Sequence, residues 1–185
     1  KKDSATRYGE VLEEAAEGRG DSDRYTRLSE IAKGGLGSIW RVRDQRVRRE
    51  VAYKEMLPKT VHDPRLLERF VLEAQVTGQL EHPSIVPIYD VGWQSDGTPF
   101  YAMKLVRGVT FKDAIHEYHQ LPRESPQRRL RFRLLLQQFI AVCQAMAFAH
   151  ERGVLHRDLK PQNVMLGDFG ETLVLDWGLA KILGE

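Results

Sequence analysis

Residues 25–57 show three runs with strand character, Tyr25–Ala32, Ser38–Val42 and Val51–Leu57, with a glycine cluster between the first two. A helix follows from about 64 to 80. Asp63 is placed to cap it, Pro64 suits its first turn, and His82-Pro83 stops it. Two further strands are predicted near Ile85–Trp93 and Phe100–Leu105, joined by the turn-forming stretch 94–99. Beyond Gly108 the pattern turns helical. A short helix is expected over Thr110–His119, then a polar loop over Leu121–Arg129, then a long helix from about Leu130 to Arg152. In that long helix Leu136, Phe139, Ile140, Cys143, Met146 and Ala147 recur at three-four spacing, and Gly153 is placed to end it. Short strands at Val164–Leu166 and Leu173–Leu175 flank a turn at Gly167–Glu171. The order is therefore a small β-rich lobe with one helix, then a helical lobe. Residues 1–22 read as a polar flank, in which Glu10–Glu17 could form a short acidic helix ended by Gly18–Asp21.

Composition narrows the class without changing this outline. With 42% hydrophobic and 29% charged residues among 185, a packed globule is expected. The net charge of +2 gives no reason to expect a nucleic-acid binder. The single cysteine, Cys143, cannot make an internal disulfide and reads as a buried structural thiol. No run approaches eighteen apolar residues and the start lacks a signal-peptide core, so no membrane span and a cytoplasmic location are expected.

The candidate chemistry sits in a few places. Gly34-Gly35-Leu36-Gly37 between two strands lets backbone approach a phosphate, although most such segments are plain hairpin turns. Period two puts Ala52, Lys54 and Met56 on one strand face. In the first helix Leu66, Phe70, Glu73 and Thr77 share a stripe, so Glu73 lies within the apolar face. It either reaches solvent from the margin or is buried and requires a cation, for which Lys54 is the natural partner. The segment His156-Arg157-Asp158-Leu159-Lys160-Pro161-Gln162-Asn163 crowds Asp, Lys and Asn into six residues between a helix end and a strand. A phosphoryl-transfer loop would give each of these a role. Asp158 would orient and deprotonate the attacking hydroxyl, Lys160 would neutralise γ-phosphate charge, and Asn163 would hold a magnesium ion.

From these residues the chain resembles the serine/threonine protein kinases, particularly their bacterial branch, over about residues 24–183. The resemblance implies an α+β, two-lobe kinase-like fold: a small antiparallel β-sheet lobe with one helix and the hinge over 23–106, and an incomplete helical lobe over 107–185. It implies that Ile31–Ile39 covers the phosphates, with Gly34, Gly35 and Gly37 retained and Ala32 replacing the first family glycine. Lys54 would contact the α- and β-phosphates, with Glu73 as its helix partner. Met103 would be the gatekeeper, backbone groups of Lys104 and Val106 would bind adenine, and Ile31, Ile39, Ala52 and Met165 would sandwich it. ATP and Mg²⁺ are the implied cofactors, and a protein hydroxyl, serine or threonine by Lys160, the acceptor.

Two strings compete for the metal-binding position. Asp168-Phe169-Gly170 matches the family letters but falls only five residues after Asn163, inside a stretch of turn composition. Asp176-Trp177-Gly178, thirteen residues after Asn163 and preceded by Leu173-Val174-Leu175, is the better assignment, with tryptophan as the apolar plug and Asp176 as the ligand. Arg157 beside Asp158 implies control by activation-loop phosphorylation. The chain stops at Glu185, short of the activation segment's end and the later helices of the family pattern. This leaves two competing readings: an active Ser/Thr kinase seen in part, or an inert nucleotide-binding regulatory fragment. A small-molecule phosphotransferase ranks below both. Exposed apolar surface on the long helix predicts self-association.

Overall fold

The alternating runs at the start of the chain pair into one antiparallel sheet. The computed structural model describes residues 24–183, and the flank expected over 1–22, with its helix at Glu10–Glu17, lies outside the described residues. Strands β1 (Tyr25–Lys33), β2 (Gly37–Asp44), β3 (Arg49–Met56), β4 (Ile88–Trp93) and β5 (Pro99–Lys104) form a five-stranded sheet in the order β1-β2-β3-β5-β4. Helix α1 (Pro64–Gln79) begins where Asp63 Oδ1 accepts the N–H of Arg65 at 2.9 Å. Strand β4 starts three residues later than expected, because Ile85 makes a lone parallel bridge to Val174.

Among the described residues, 24–74 together with Ile88–Leu105 make one compact unit, and Gln75–Pro87 with residues 106–183 make a second. In the first unit each face of the sheet buries its own cluster. Val42, Val51, Tyr53 and Ala102 pack beneath Tyr25, Trp40 and Phe100 on one face. On the other, Met56 and Tyr101 meet Phe70 and Ala74 of α1. Burying each such large side chain contributes roughly 1.5–3 kcal/mol, which is what holds α1 to the sheet. At the sheet margin the Arg24 guanidinium bonds Asp44 at 3.0 Å and Asp90 at 2.7 Å, and the Tyr25 hydroxyl donates to Asp90 at 2.8 Å.

The second unit contains β6 (Gly108–Thr110), α2 (Phe111–Gln120), α3 (Pro126–Glu151), β7 (Val154–Leu155), a 3-10 turn (Pro161–Asn163), β8 (Val164–Gly167), β9 (Thr172–Val174) and β10 (Lys181–Ile182). Strands β6-β8-β9 form one small sheet and β7-β10 another. Helix α3 starts four residues before the expected Leu130, because the Ser125 hydroxyl accepts the Arg128 N–H at 3.1 Å and Pro126 fills the first helical position. It ends before Gly153, whose φ of +72° suits a residue without Cβ.

The face of α3 that enters the core differs from the expected stripe. Leu135, Val142, Ala145, Met146 and Ala149 are buried, whereas Leu136, Phe139, Ile140, Cys143 and Ala147 are exposed; of the expected set only Met146 is inside. Cys143 is thus an exposed thiol, contrary to expectation. The helix is apolar nearly all round from Leu134 onward, so three-four spacing can be drawn along more than one face, and packing on β7 and β9 selects among them. By length and hydropathy α3 meets the dimensions of a membrane span, as core helices of soluble folds also do, and here one side of it is packed within its unit.

Candidate active site

In the first unit the open question over Glu73 is resolved. It is 3% exposed, and Lys54 Nζ lies 2.7 Å from Oε1 and 2.9 Å from Oε2. Breaking such a buried pair leaves an uncompensated charge and costs about 3–5 kcal/mol. A second donor, which residue spacing did not reveal, joins them: the Tyr101 hydroxyl donates to Glu73 Oε1 at 2.8 Å. Alternation along β5 places Tyr101 and Met103 on one face, but spacing alone does not tell a tyrosine that bonds from a phenylalanine that only packs.

The glycines of the β1–β2 connection have different roles. The Gly34 N–H bonds the Gly37 carbonyl at 2.9 Å, closing the turn. A Cβ on Gly37 would fall 2.3 Å from the Glu55 carbonyl oxygen, so this glycine is required for β2 to approach β3. A Cβ on Gly35 would meet nothing within 4 Å. Ala32 pairs with Ile39 in β-sheet register, so a Cβ is accommodated where the family has glycine. Across the sheet Ile39 stands opposite Lys54, and Ala52 opposite Met103. Ala52 is buried, Met103 and Lys104 are half-buried, and Ile31 is exposed. Val106 and Met165, the remaining candidates for adenine, belong to the second unit, where both are half-buried and Met165 pairs with Thr110 and Leu173.

In the second unit the loop from His156 to Asn163 gathers as expected. Lys160 Nζ lies 2.6 Å from Asp158 Oδ2. The Asn163 amide nitrogen donates to the Asp158 carbonyl at 2.9 Å and to Oδ2 at 3.2 Å. The Lys160 ammonium hydrogen-bonded to Asp158 holds its carboxyl below the usual carboxylate range, and the same bond raises the lysine. Both are therefore charged at neutral pH. His156, also unforeseen as a positioning group, accepts the Asp158 N–H at Nδ1 (3.3 Å), so its Nε2 carries the proton and donates to the Leu175 carbonyl at 3.0 Å. The Arg157 guanidinium donates to the carbonyls of Leu179 and Ala180.

The Leu175 N–H bonds the Asn163 carbonyl at 2.8 Å, which ties the end of β9, and so Asp176, to the loop. Asp176 sits at φ +59°, in the left-handed region. Its negative charge acts on Lys160. Trp177 is 1% exposed, with its indole against the His156 imidazole at a centroid distance of 4.6 Å. The competing string forms the turn between β8 and β9, where the Gly170 N–H bonds the Gly167 carbonyl and Phe169 is 94% exposed. Among the described residues no three His, Cys, Asp or Glu side chains gather as a metal site. Asp176 and Asn163 offer one carboxylate and one amide oxygen, with the Asn163 nitrogen already bonded to Asp158. A hard cation such as Mg²⁺, which keeps several waters and takes phosphate oxygens, fits so sparse a set.

The protein kinase domain family matches residues 25–185. The serine/threonine-protein kinase PknD of Protochlamydia amoebophila is 40% identical over 169 residues, 89% of this chain and 17% of that protein. PknD of Chlamydia pneumoniae is 35% identical over 167 residues, 88% of this chain and 18% of that protein. The serine/threonine-protein kinase PknB of Mycobacterium leprae is 34% identical over 168 residues, 89% of this chain and 25% of that protein. The chain thus spans a quarter or less of the length of these relatives.

Proposed function

The chain belongs to the protein kinase family, and from that premise we propose that it transfers the γ-phosphoryl group of Mg-ATP to serine or threonine hydroxyls of proteins. The observation that carries this reading is the Asp158 carboxylate, kept ionised by Lys160 at 2.6 Å and oriented by the Asn163 amide. A carboxylate so placed can accept the proton of an attacking hydroxyl, a contribution of typically about 10²–10⁴-fold. Lys160 offsets charge on the transferred group, and Lys54, held by Glu73, binds the α- and β-phosphates. Asp176 and Asn163 would hold Mg²⁺, which when bound offsets the charge of the triphosphate. The remaining requirement is alignment of the hydroxyl with the γ-phosphorus.

The relatives are named serine/threonine kinases, which supports the acceptor class. Nothing in the side-chain set favours an inert nucleotide-binding fragment, since Lys54, Glu73, Asp158, Lys160, Asn163 and Asp176 are all present. The test is transfer of radiolabelled phosphate from ATP to a generic protein substrate and to the protein itself. Asp158→Asn should lower the rate by at least about 100-fold while nucleotide binding persists. An Asp158→Asn protein as active as the wild type would end the reading.

A further inference from the structure

Glu73 sits at a depth where a carboxylate needs more than one donor. Lys54 engages both of its oxygens, at 2.7 and 2.9 Å. An ammonium has three N–H groups, so a lysine that also binds phosphate must divide its donors. Tyr101 is placed to hold the carboxylate meanwhile. Its backbone stands opposite Lys54 in the β3–β5 ladder, and its hydroxyl donates to Glu73 Oε1 at 2.8 Å. Its ring meets Phe70 at a centroid distance of 5.3 Å, and the Lys54 ammonium lies 5.6 Å from the same ring. Phe70 and Glu73 are one helical turn apart on α1, so this single side chain touches the helix at two points and fixes its rotation against the sheet.

We propose that Tyr101 is a positioning residue for phosphoryl transfer: its hydroxyl keeps the Glu73 carboxylate aimed at Lys54 while Lys54 engages the phosphates. The proposal rests on the kinase reading above and adds a third member to the Lys54–Glu73 pair. Phenylalanine at this position would keep the ring, the burial and the contact with Phe70, and lose only the donor.

The experiment uses the full-length protein and two measurements. The first is kcat and KM for Mg-ATP with Tyr101→Phe. The second is a urea-unfolding cycle of Tyr101→Phe, Glu73→Gln and the double variant. Tyr101→Phe should lower kcat/KM about tenfold, mainly through kcat, as expected for one buried hydrogen bond to a charged group. In the cycle, the cost of losing the hydroxyl should shrink at least about threefold in equilibrium constant once Glu73 is neutral. Strictly additive stabilities would overturn the proposal. So would coupled stabilities beside an unchanged kcat/KM, which would leave the hydroxyl a structural role only. Should the phenylalanine variant fail to fold, Tyr101→Met, which fills the space without a donor, repeats both measurements. A wild type that transfers no phosphate brings down the kinase reading; an active wild type beside an equally active Tyr101→Phe brings down this inference alone.

Discussion

The indole of Trp177 lies against the imidazole of His156, 4.6 Å between ring centroids and tilted by 54°, directly after the candidate metal ligand Asp176. Among the described residues the Trp177 Nε1–H is buried without an acceptor. An unmet buried donor costs about 1–3 kcal/mol, which partly offsets what the large ring gains by burial. Trp177→Phe removes that donor along with some volume, so it should change the unfolding free energy by less than about 1.5 kcal/mol. Trp177→Ala should cost about 3–5 kcal/mol. Urea unfolding of both variants checks this, and a phenylalanine variant as damaged as the alanine one would contradict it.

The Arg24–Asp44 contact predicts an acid limb of stability. Burial alone would raise the Asp44 carboxyl, but the hydrogen bond from Arg24 and the N–H groups of Arg46 and Val47 outweigh it, and the group titrates below its ordinary value. The folded state therefore binds this proton less readily than the unfolded chain. Its stabilisation is complete at neutral pH, starts to fade near the unfolded value of about 3.9, and is gone once the pH has dropped through the lower folded value. Asp44→Asn should lose about 1.5–3 kcal/mol at pH 7. The gap between variant and wild type should narrow below about pH 4, as read by denaturant unfolding across pH.

Arg157 has φ +62° and donates to the carbonyls of Leu179 and Ala180. These neutral acceptors are weaker partners for a guanidinium than a phosphate dianion, so a phosphorylated residue farther along the chain would outcompete them. If phosphorylation controls transfer through Arg157, Arg157→Ala should leave basal transfer within about threefold of wild type and abolish any rise in rate that follows incubation with ATP. Rate assays before and after incubation with ATP, in the full-length protein, decide this; an unaltered response to phosphorylation would refute it.

Phe139 and Ile140 are 52% and 54% exposed on α3, beside exposed Leu136. A contiguous apolar surface of this kind favours association. The isolated 185-residue chain should show a mass above the monomer by light scattering at high concentration. Ile140→Lys combined with Phe139→Glu should bring it back to the monomer. A monomeric unmodified chain would contradict the prediction.

What the sequence made readable depended on whether a residue's role is local. The cap at Asp63, the stop at Gly153 and the shared face of Ala52, Lys54 and Met56 are local consequences of residue type and period, and each is found. The turn at Asp168-Phe169-Gly170 was readable too, because chain length between Asn163 and the next strand is itself a constraint. The buried face of α3 was not readable: a helix apolar nearly all round yields its orientation only to the strands it meets. Nor was the hydroxyl of Tyr101, whose acceptor lies 28 residues away on another element. Strands as short as β7 and β10, two residues each, carry no period to detect.

The exposure of Cys143 has a practical consequence. It is the sole thiol of these 185 residues, and it lies on the uncovered face of α3 beside Phe139 and Ile140. A maleimide fluorophore would therefore attach at one known place without any engineered cysteine. Its labelling rate then serves as a gauge of shielding: whatever comes to rest on that side of the helix, whether a second copy or another protein, slows the reaction in proportion to the time it stays there.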